Sequence, residues 1–289
     1  MKLLDGNNES TRAKRYFCTF ADSRMRRSVS RIKKQAHAIG VYDHIISYDE
    51  NELNPQFREK FNKELVRGSR GFAHWVWKPQ IILQTFEKMN ECDLVHYCDT
   101  GCWINPKGTD ILLEYFEHTA AHDMLAFQVK NSFGDPLLDA FSLPEYKWTK
   151  GDLFDYFGVR NDNAITQSQQ IGATTIFLKK NQKTETLLRA WLSVFETDFR
   201  LANDTPSISP NFDGFIEHRH DQSILGILCK MAGVQTRSTF EYFYPSTDDI
   251  SKPDWKKIEK YPIWAKRDKD LGTFGYINHK IRRLLSIDF

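Results

Sequence analysis

The strongest constraint on this chain is the alternation of short apolar runs with amphipathic helical stretches from Tyr16 to Met231. Tyr16-Phe17-Cys18-Thr19-Phe20 reads as a buried strand. Ser23 stands at a helix N-cap position, and Met25, Val29, Ile32, Ala36 and Ile39 recur at steps of four and three before a Gly40 stop. Residues 44 to 48 read as a second strand, so strand, helix and strand fill the first 49 residues and predict a parallel pair with a crossover helix. Residues 54 to 66 read as helical. After the break from Gly68 to Gly71, Pro79 suits the first turn of a helix carrying Ile81, Ile82, Phe86 and Met89 on its apolar side. Further strands are expected at 93 to 98, 124 to 129 and 174 to 178, and helices at 110 to 117, 184 to 195 and 220 to 231. This order predicts an α/β fold, a mostly parallel open sheet with helices on both faces. Residues 1 to 14 are expected to form a loose polar arm and 15 to 236 the main domain. From 237 to 289, aromatics, prolines and charges mix without a period, which suggests a C-terminal extension packed on the core.

Composition excludes several classes. At 40% apolar and 27% charged residues, 289 residues are enough to bury a core, and disorder is ruled out. Forty Lys plus Arg against 38 Asp plus Glu give +2, too balanced to point to nucleic acid as a partner. Five cysteines, an odd number, argue against a full disulfide framework and for a reducing compartment. The first residues lack the apolar core of a signal peptide, and no window approaches the roughly 18 apolar residues of a spanning helix, so a cytoplasmic location is expected. Cys98 and Cys102 have no second Cys or His pair at zinc spacing. No Gly-x-x-x-x-Gly-Lys loop, Gly-x-Gly-x-x-Gly turn or Gly-x-Ser-x-Gly elbow is present, which disfavours nucleoside triphosphatases, dinucleotide-dependent dehydrogenases and serine hydrolases.

In open α/β sheets, ligands gather at the carboxyl ends of strands. Three such ends carry an acid: Ala21-Asp22, Tyr48-Asp49 and Asp99-Thr100-Gly101. Asp99 reads either as a turn cap or as an oxygen ligand for Mg²⁺ or Mn²⁺. The run Glu217-His218-Arg219-His220-Asp221-Gln222-Ser223 leads straight into an apolar helix. Asp221 there is either an N-cap or part of a pocket wall with His220 and Gln222. Trp75 and Trp77, two apart on a strand-like stretch, face one side, and Lys78 is either an exposed helix-start residue or a phosphate holder at a helix N-terminus. Arg24, Arg26 and Arg27 offer the same choice between a solvated basic face and an anion site. His279 is a lone late histidine that would complete a metal shell only if the chain brought it back to Asp99.

Thr19-Phe-Ala-Asp22-Ser-Arg24, Gly71-Phe-Ala-His-Trp-Val-Trp-Lys-Pro79, Tyr97-Cys-Asp99-Thr-Gly101, Ile171-Gly-Ala173 and Arg219-His-Asp-Gln-Ser223, taken in order, resemble bacterial glycosyltransferases of the GT-A fold that build capsular polysaccharide and lipooligosaccharide. The resemblance spans residues 15 to 270. It implies a Rossmann-like GT-A sheet and transfer of a hexose from a nucleotide diphosphate sugar, a uridine diphosphate sugar first among them, to a glycan or lipid-linked glycan acceptor, with retention. Thr19, Ala21, Asp22 and Arg24 would match the nucleotide-contacting region, with Trp77, Lys78 and Tyr97 close by. Asp99 would match the first acid of the Asp-x-Asp metal motif, with Mn²⁺ or Mg²⁺ as cofactor. Gly101 stands where the second acid is usual, a departure that weakens the metal expectation. Gly172 and Ala173 would border the donor sugar, and His220, Asp221 and Gln222 would lie near the reacting centre.

Those residue types suit the chemistry. Glycosyl transfer passes through an oxocarbenium-like state while a diphosphate leaves, so the site must stabilise negative charge on one side and positive on the other. A cation at Asp99 would serve the first need and the Asp221 carboxylate the second. Two other classes compete. A non-catalytic nucleotide-sugar or carbohydrate-binding protein on the same fold would explain Gly101. An aspartic protease shares the Asp-Thr-Gly triplet but needs a second copy, which this chain lacks. The basic, partly apolar stretch from Lys280 to Leu285 suggests peripheral contact with an anionic membrane, against the alternative of an ordinary surface helix.

Overall fold

A computed structural model describes residues 12–249 and 251–268. Strand β1 (Arg15–Phe20) is followed by one 3₁₀ turn (Ser23–Met25), helix α1 (Arg26–Ala38) and β2 (His44–Tyr48). Next come α2 (Pro55–Lys60), a single turn α3 (Gly71–His74), α4 (Trp77–Phe86) and β3 (Leu94–Cys98). The short β4 (Trp103–Ile104) leads to α5 (Thr109–His122) and β5 (Met124–Gln128). Three short helices, α6 (Glu145–Trp148), α7 (Gly151–Tyr156) and α8 (Asn163–Thr166), precede β6 (Ile171–Lys179) and α9 (Gln182–Thr197). Helix α10 (Asp221–Met231), β7 (Thr236–Ser238) and β8 (Ile263–Trp264) complete the order.

The main sheet runs β2-β1-β3-β6-β5-β7. The β1–β2, β1–β3 and β5–β7 pairings are parallel, while β6 is antiparallel to both neighbours. The expected fold class, an α/β sheet clothed on both faces, is the one observed. Period-2 alternation explains how: Tyr16, Cys18, Phe20, Val95, Tyr97, Ile176 and Leu178 join a core with residues of α4, α9 and α10. Phe17, Leu94, Cys98, Leu125, Phe127 and Phe177 point the other way, into a core built with α1 and α5. A third cluster around Phe240, Tyr244 and Ile258 covers the end of β5. No helix among the described residues is long and apolar enough to cross a membrane.

Several local expectations change. Asp22, not Ser23, caps the start after β1, because its carboxylate accepts from the Arg24 amide. The helix expected over 54 to 66 ends at Lys60, where the chain turns toward Gly68 at φ 94°. The stretch 71 to 75 is not strand-like. Gly71, Phe72, Ala73, His74 and Trp75 all have positive φ, winding one left-handed turn that disfavours any residue but Gly by roughly 1–2 kcal/mol each. The Trp75 and Trp77 pair therefore does not share a strand face. Trp77 is buried, stacked on Phe20 at 4.1 Å, and donates from Nε1 to the Gly71 carbonyl. Where no period was legible, around and past 237, β7 (Thr236–Ser238) adds an edge strand to the main sheet and β8 pairs with β4.

Candidate active site

Strands β1, β2 and β3 run parallel and end together, with Phe20 opposite Tyr48 and Cys18 opposite Tyr97. The three acids named from the sequence thus lie along one sheet edge. Two of them hold the chain's own turns. Asp22 caps the 3₁₀ turn and grips the Arg24 guanidinium, with Oδ2 2.5 Å from Nη2. Asp49 accepts from the Asn51 amide at 2.8 Å. Thr19 is fully buried: its hydroxyl donates to the Cys98 carbonyl at 2.7 Å and lies 2.8 Å from the Thr100 hydroxyl, a tie between β1 and β3. Ala21 is buried, and its amide donates to the Tyr48 carbonyl.

Asp99 differs. Its backbone is fixed by a bond from its amide to the Thr174 carbonyl, and its side chain remains about one-third exposed, at 32%. The buried Tyr97 hydroxyl donates to Oδ1 at 2.5 Å, and Lys78 Nζ stands 3.5 Å from the same oxygen. Burial and the neighbouring Asp99 charge push the Tyr97 phenol well above its ordinary pKa, so it stays a donor.

Lys78 is not an exposed helix-start residue. It enters at the first turn of α4, 2% exposed, and its ammonium reaches three acceptors: Asp221 Oδ2 at 2.6 Å, the Ala173 carbonyl at 3.0 Å and Asp99. Its hydrogen bonds go to Asp221 and Ala173, while Asp99 stands at ion-pair distance. Within the chain, Lys78 ties Asp221 to the Ala173 carbonyl of β6 and pairs with Asp99. Burial works against its charge, but Asp221 and Asp99 outweigh it and raise its pKa. Asp221 opens α10, buried at 4%. Burial, with repulsion from Asp99, lifts its pKa to about 6 against the pull of Lys78, so the pair is ionised at neutral pH while Asp221 keeps unusual proton affinity.

The remaining sequence candidates surround this core. Gly172 is required by Tyr242, since a Cβ there would lie 2.3 Å from the Tyr242 hydroxyl oxygen. Gln222 Nε2 donates to Gln170, which in turn donates to buried Glu145, itself paired with Lys230 at 2.6 Å. Gly101 lies under the C-terminal segment: its carbonyl accepts from the Asp268 amide, and an added Cβ would touch the Arg267 backbone at 3.4 Å. His220 turns away from Asp221 toward Ala202 and Asp204. Burial lowers its pKa to about 4, which keeps the ring neutral. His279 and the stretch from Lys280 to Leu285 lie outside the described residues.

A divalent cation at Asp99 would find one part-exposed carboxylate, since Asp221 is buried against Lys78. Both described contacts of that side chain fall on Oδ1, and among the described residues Asp99 belongs to no group of three or more metal-ligating side chains. Mg²⁺ sites at nucleotides take one or two carboxylates and complete their shell with phosphate and water oxygens. A single acid fits a cation that arrives with a diphosphate; it does not fit a resident ion caged by protein. Sequence reasoning missed Gln170, Glu145 and the Ala173 carbonyl, whose roles depend on contacts across 25 to 95 positions.

No protein-family model matches the chain, and no curated protein matches it. Among solved structures it is similar to a glycosyltransferase involved in glycosylation of the major capsid of PBCV-1, at 10% identity and a TM-score of 0.47 over 89% of this chain and 98% of that one. It is also similar to mouse xyloside xylosyltransferase 1 at 7% identity and a TM-score of 0.43, over 87% and 97% of the two chains. The glycosyltransferase GlyE of Streptococcus pneumoniae TIGR4 matches at 15% identity and a TM-score of 0.40, over 96% of this chain and 61% of that one. All three scores fall below 0.5, so a functional assignment rests on the residues at the sheet edge.

Proposed function

We propose that this chain transfers a sugar from a nucleotide diphosphate sugar to a glycan acceptor. The observation carrying the reading is the Lys78-centred cluster: a buried ammonium holds Asp99 and Asp221 together where three parallel strands end. Nucleotide ligands of open α/β sheets bind at such an edge. Residues from motifs that resemble GT-A glycosyltransferases meet there: Tyr97 bonds Asp99, and Lys78 bonds Ala173 and Asp221 and pairs with Asp99.

In this reading the exposed side of Asp99 would hold a Mg²⁺ or Mn²⁺ ion that arrives with the donor, and that ion would supply positive charge to neutralise the leaving diphosphate. Tyr97 and Lys78 fix the Asp99 carboxylate from the buried side. Asp221 presents negative charge toward the anomeric carbon as positive charge develops there, and its position is set by Lys78 before substrate arrives. Because Lys78 and Asp221 are both buried, the direction of the Asp221 carboxylate is fixed without solvent reorganisation. A uridine diphosphate hexose is the first donor to try, and an acceptor in surface polysaccharide is the expected class.

The test is a thermal-shift screen of uridine, guanosine, cytidine and thymidine diphosphate sugars with and without Mn²⁺, followed by product analysis with the best donor. Stabilisation by one nucleotide class, lost in Asp99→Asn, together with transfer or slow hydrolysis, supports the assignment. Tight binding without turnover would instead favour a carbohydrate-binding protein. No stabilisation by any donor would overturn the reading.

A further inference from the structure

His220 precedes Asp221, yet its ring belongs to a different cluster. His220 is 2% exposed, and its Nδ1 lies 2.7 Å from the Ala202 carbonyl. A carbonyl only accepts, so Nδ1 carries the proton and Nε2 bears the lone pair. That Nε2 is buried with no hydrogen-bond partner. It points to Asp204, whose Oδ1 is 3.5 Å away, and His74 Nε2 stands 3.2 Å from Asp204 Oδ2. The three ligand atoms lie within 4.8 Å of one another.

Ligands bound tetrahedrally to zinc at about 2.0–2.1 Å are separated from each other by about 3.3 Å. Here His74 hydrogen-bonds Asp204 Oδ2 at 3.2 Å, and His220 Nε2 lies 3.5 Å from Oδ1. One ligand atom from each of the three lies within 4.8 Å of the others, close enough for small shifts to gather them on one ion. We propose that His74, Asp204 and His220 form a three-ligand site for a divalent transition metal of the zinc type, separate from Asp99. Two imidazoles and one carboxylate are a donor set that zinc takes with a fourth position open. The half-exposed Asp204 leaves that position toward solvent. The Nδ1 proton held by Ala202 is the outer bond that ligating histidines commonly make.

The backbone supports a built site. His74 and His220 are both non-glycine residues at positive φ, 51° and 53°. Such conformations persist where the surroundings hold them, and they cluster at binding sites. A bound ion would tie three segments: the left-handed turn before Lys78, the loop after Leu201, and the start of α10 at Asp221. It would thus brace the walls that bring Lys78 and Asp221 together. Arg70 also donates to Asp204 Oδ1, at 2.8 Å, and competes with a cation for that oxygen.

The experiment uses tag-free full-length chain stripped with a chelator. Zn²⁺ is titrated calorimetrically, Co²⁺ is followed by its visible ligand-field spectrum, and metal content is measured after dialysis. One equivalent should bind with a tetrahedral cobalt spectrum and a raised melting temperature. Asp204→Asn, a surface change, and His74→Ala should each weaken binding at least about tenfold, whereas Asp99→Asn should keep it and Arg70→Gln should strengthen it. Wild-type chain that binds neither ion, or binds no better than Asp204→Asn, overturns the site, as does loss of binding in Asp99→Asn. None of these readouts uses a sugar nucleotide, so failure of the donor screen leaves the outcome intact.

Discussion

Lys78 Nζ and Asp221 Oδ2 stand 2.6 Å apart inside the protein, joined across 143 positions of sequence. Each is almost wholly buried, so neither charge is tolerable without the other. Lys78→Met should therefore cost about 3–5 kcal/mol of folding stability, since it leaves a buried carboxylate unpaired. Lys78→Met combined with Asp221→Leu should recover most of that loss, because a well-packed apolar pair replaces a buried ionic one at little net cost. Urea unfolding of the two variants checks this. Equal destabilisation in both would show that the pair is not what makes the single change costly.

The acidity of Asp221 gives a second expectation. Its folded pKa of about 6 lies above the ordinary 3.8, the reverse of a carboxylate stabilised by its partner. Between about pH 4 and 6 the folded chain keeps a proton that the unfolded chain has released, so this group's contribution to stability falls as pH rises through that window. Asp221→Asn carries no such proton. The stability of the variant relative to wild type should therefore improve by about 1 kcal/mol between pH 5 and pH 7. Paired urea titrations at the two pH values measure the difference, and a pH-independent gap would place the Asp221 pKa back near its ordinary value.

Much of this arrangement is legible in the sequence, and the limits are physical. The β1, α1, β2 and β3 segments declare themselves because alternation and helical spacing are local, and Asp99 and Asp221 follow from them as acids at element ends. The direction of β6 is not legible, since its antiparallel pairing with β3 is decided by contacts about 80 positions away. The left-handed turn at Gly71 to Trp75 is hidden by its own composition, for Phe72, Trp75 and Val76 suggest a strand while Gly71 alone hints at positive φ. Lys78 was readable as a cation at a helix start, but its burial depends on β6 passing beside it. His74 and Asp204 carry no signal at all until 130 positions of chain are folded back.

Gly172 offers a packing prediction. The Tyr242 hydroxyl oxygen occupies the space a Cβ at this position would need, 2.3 Å away, while the Tyr242 ring carbon bearing it is 3.5 Å away. Gly172→Ala should destabilise the chain by about 1–3 kcal/mol, the usual range for overpacking. Removing the offending oxygen with Tyr242→Phe should restore part of that loss in the double variant. Thermal melts of the three variants decide it, and an additive result would mean that the strain lies elsewhere.

Asp99 is the residue on which the proposed reaction turns, and Asp99→Asn tests it with little structural disturbance. The amide keeps the size of the side chain and an oxygen for the Tyr97 hydroxyl, and the position is part-exposed, so stability should change by no more than about 1 kcal/mol. Catalysis should respond very differently. A carboxylate oxygen binds a hard cation that an amide oxygen holds only weakly, and charge stabilisation at a leaving group is commonly worth roughly 10²–10³ in turnover. Initial rates against Mn²⁺ concentration at saturating donor should therefore rise and plateau in wild type, and stay low and flat in Asp99→Asn. If Asp99 only closed the turn after β3, the variant would show the same metal response with at most a small fall in melting temperature, and the diphosphate would have to be held elsewhere.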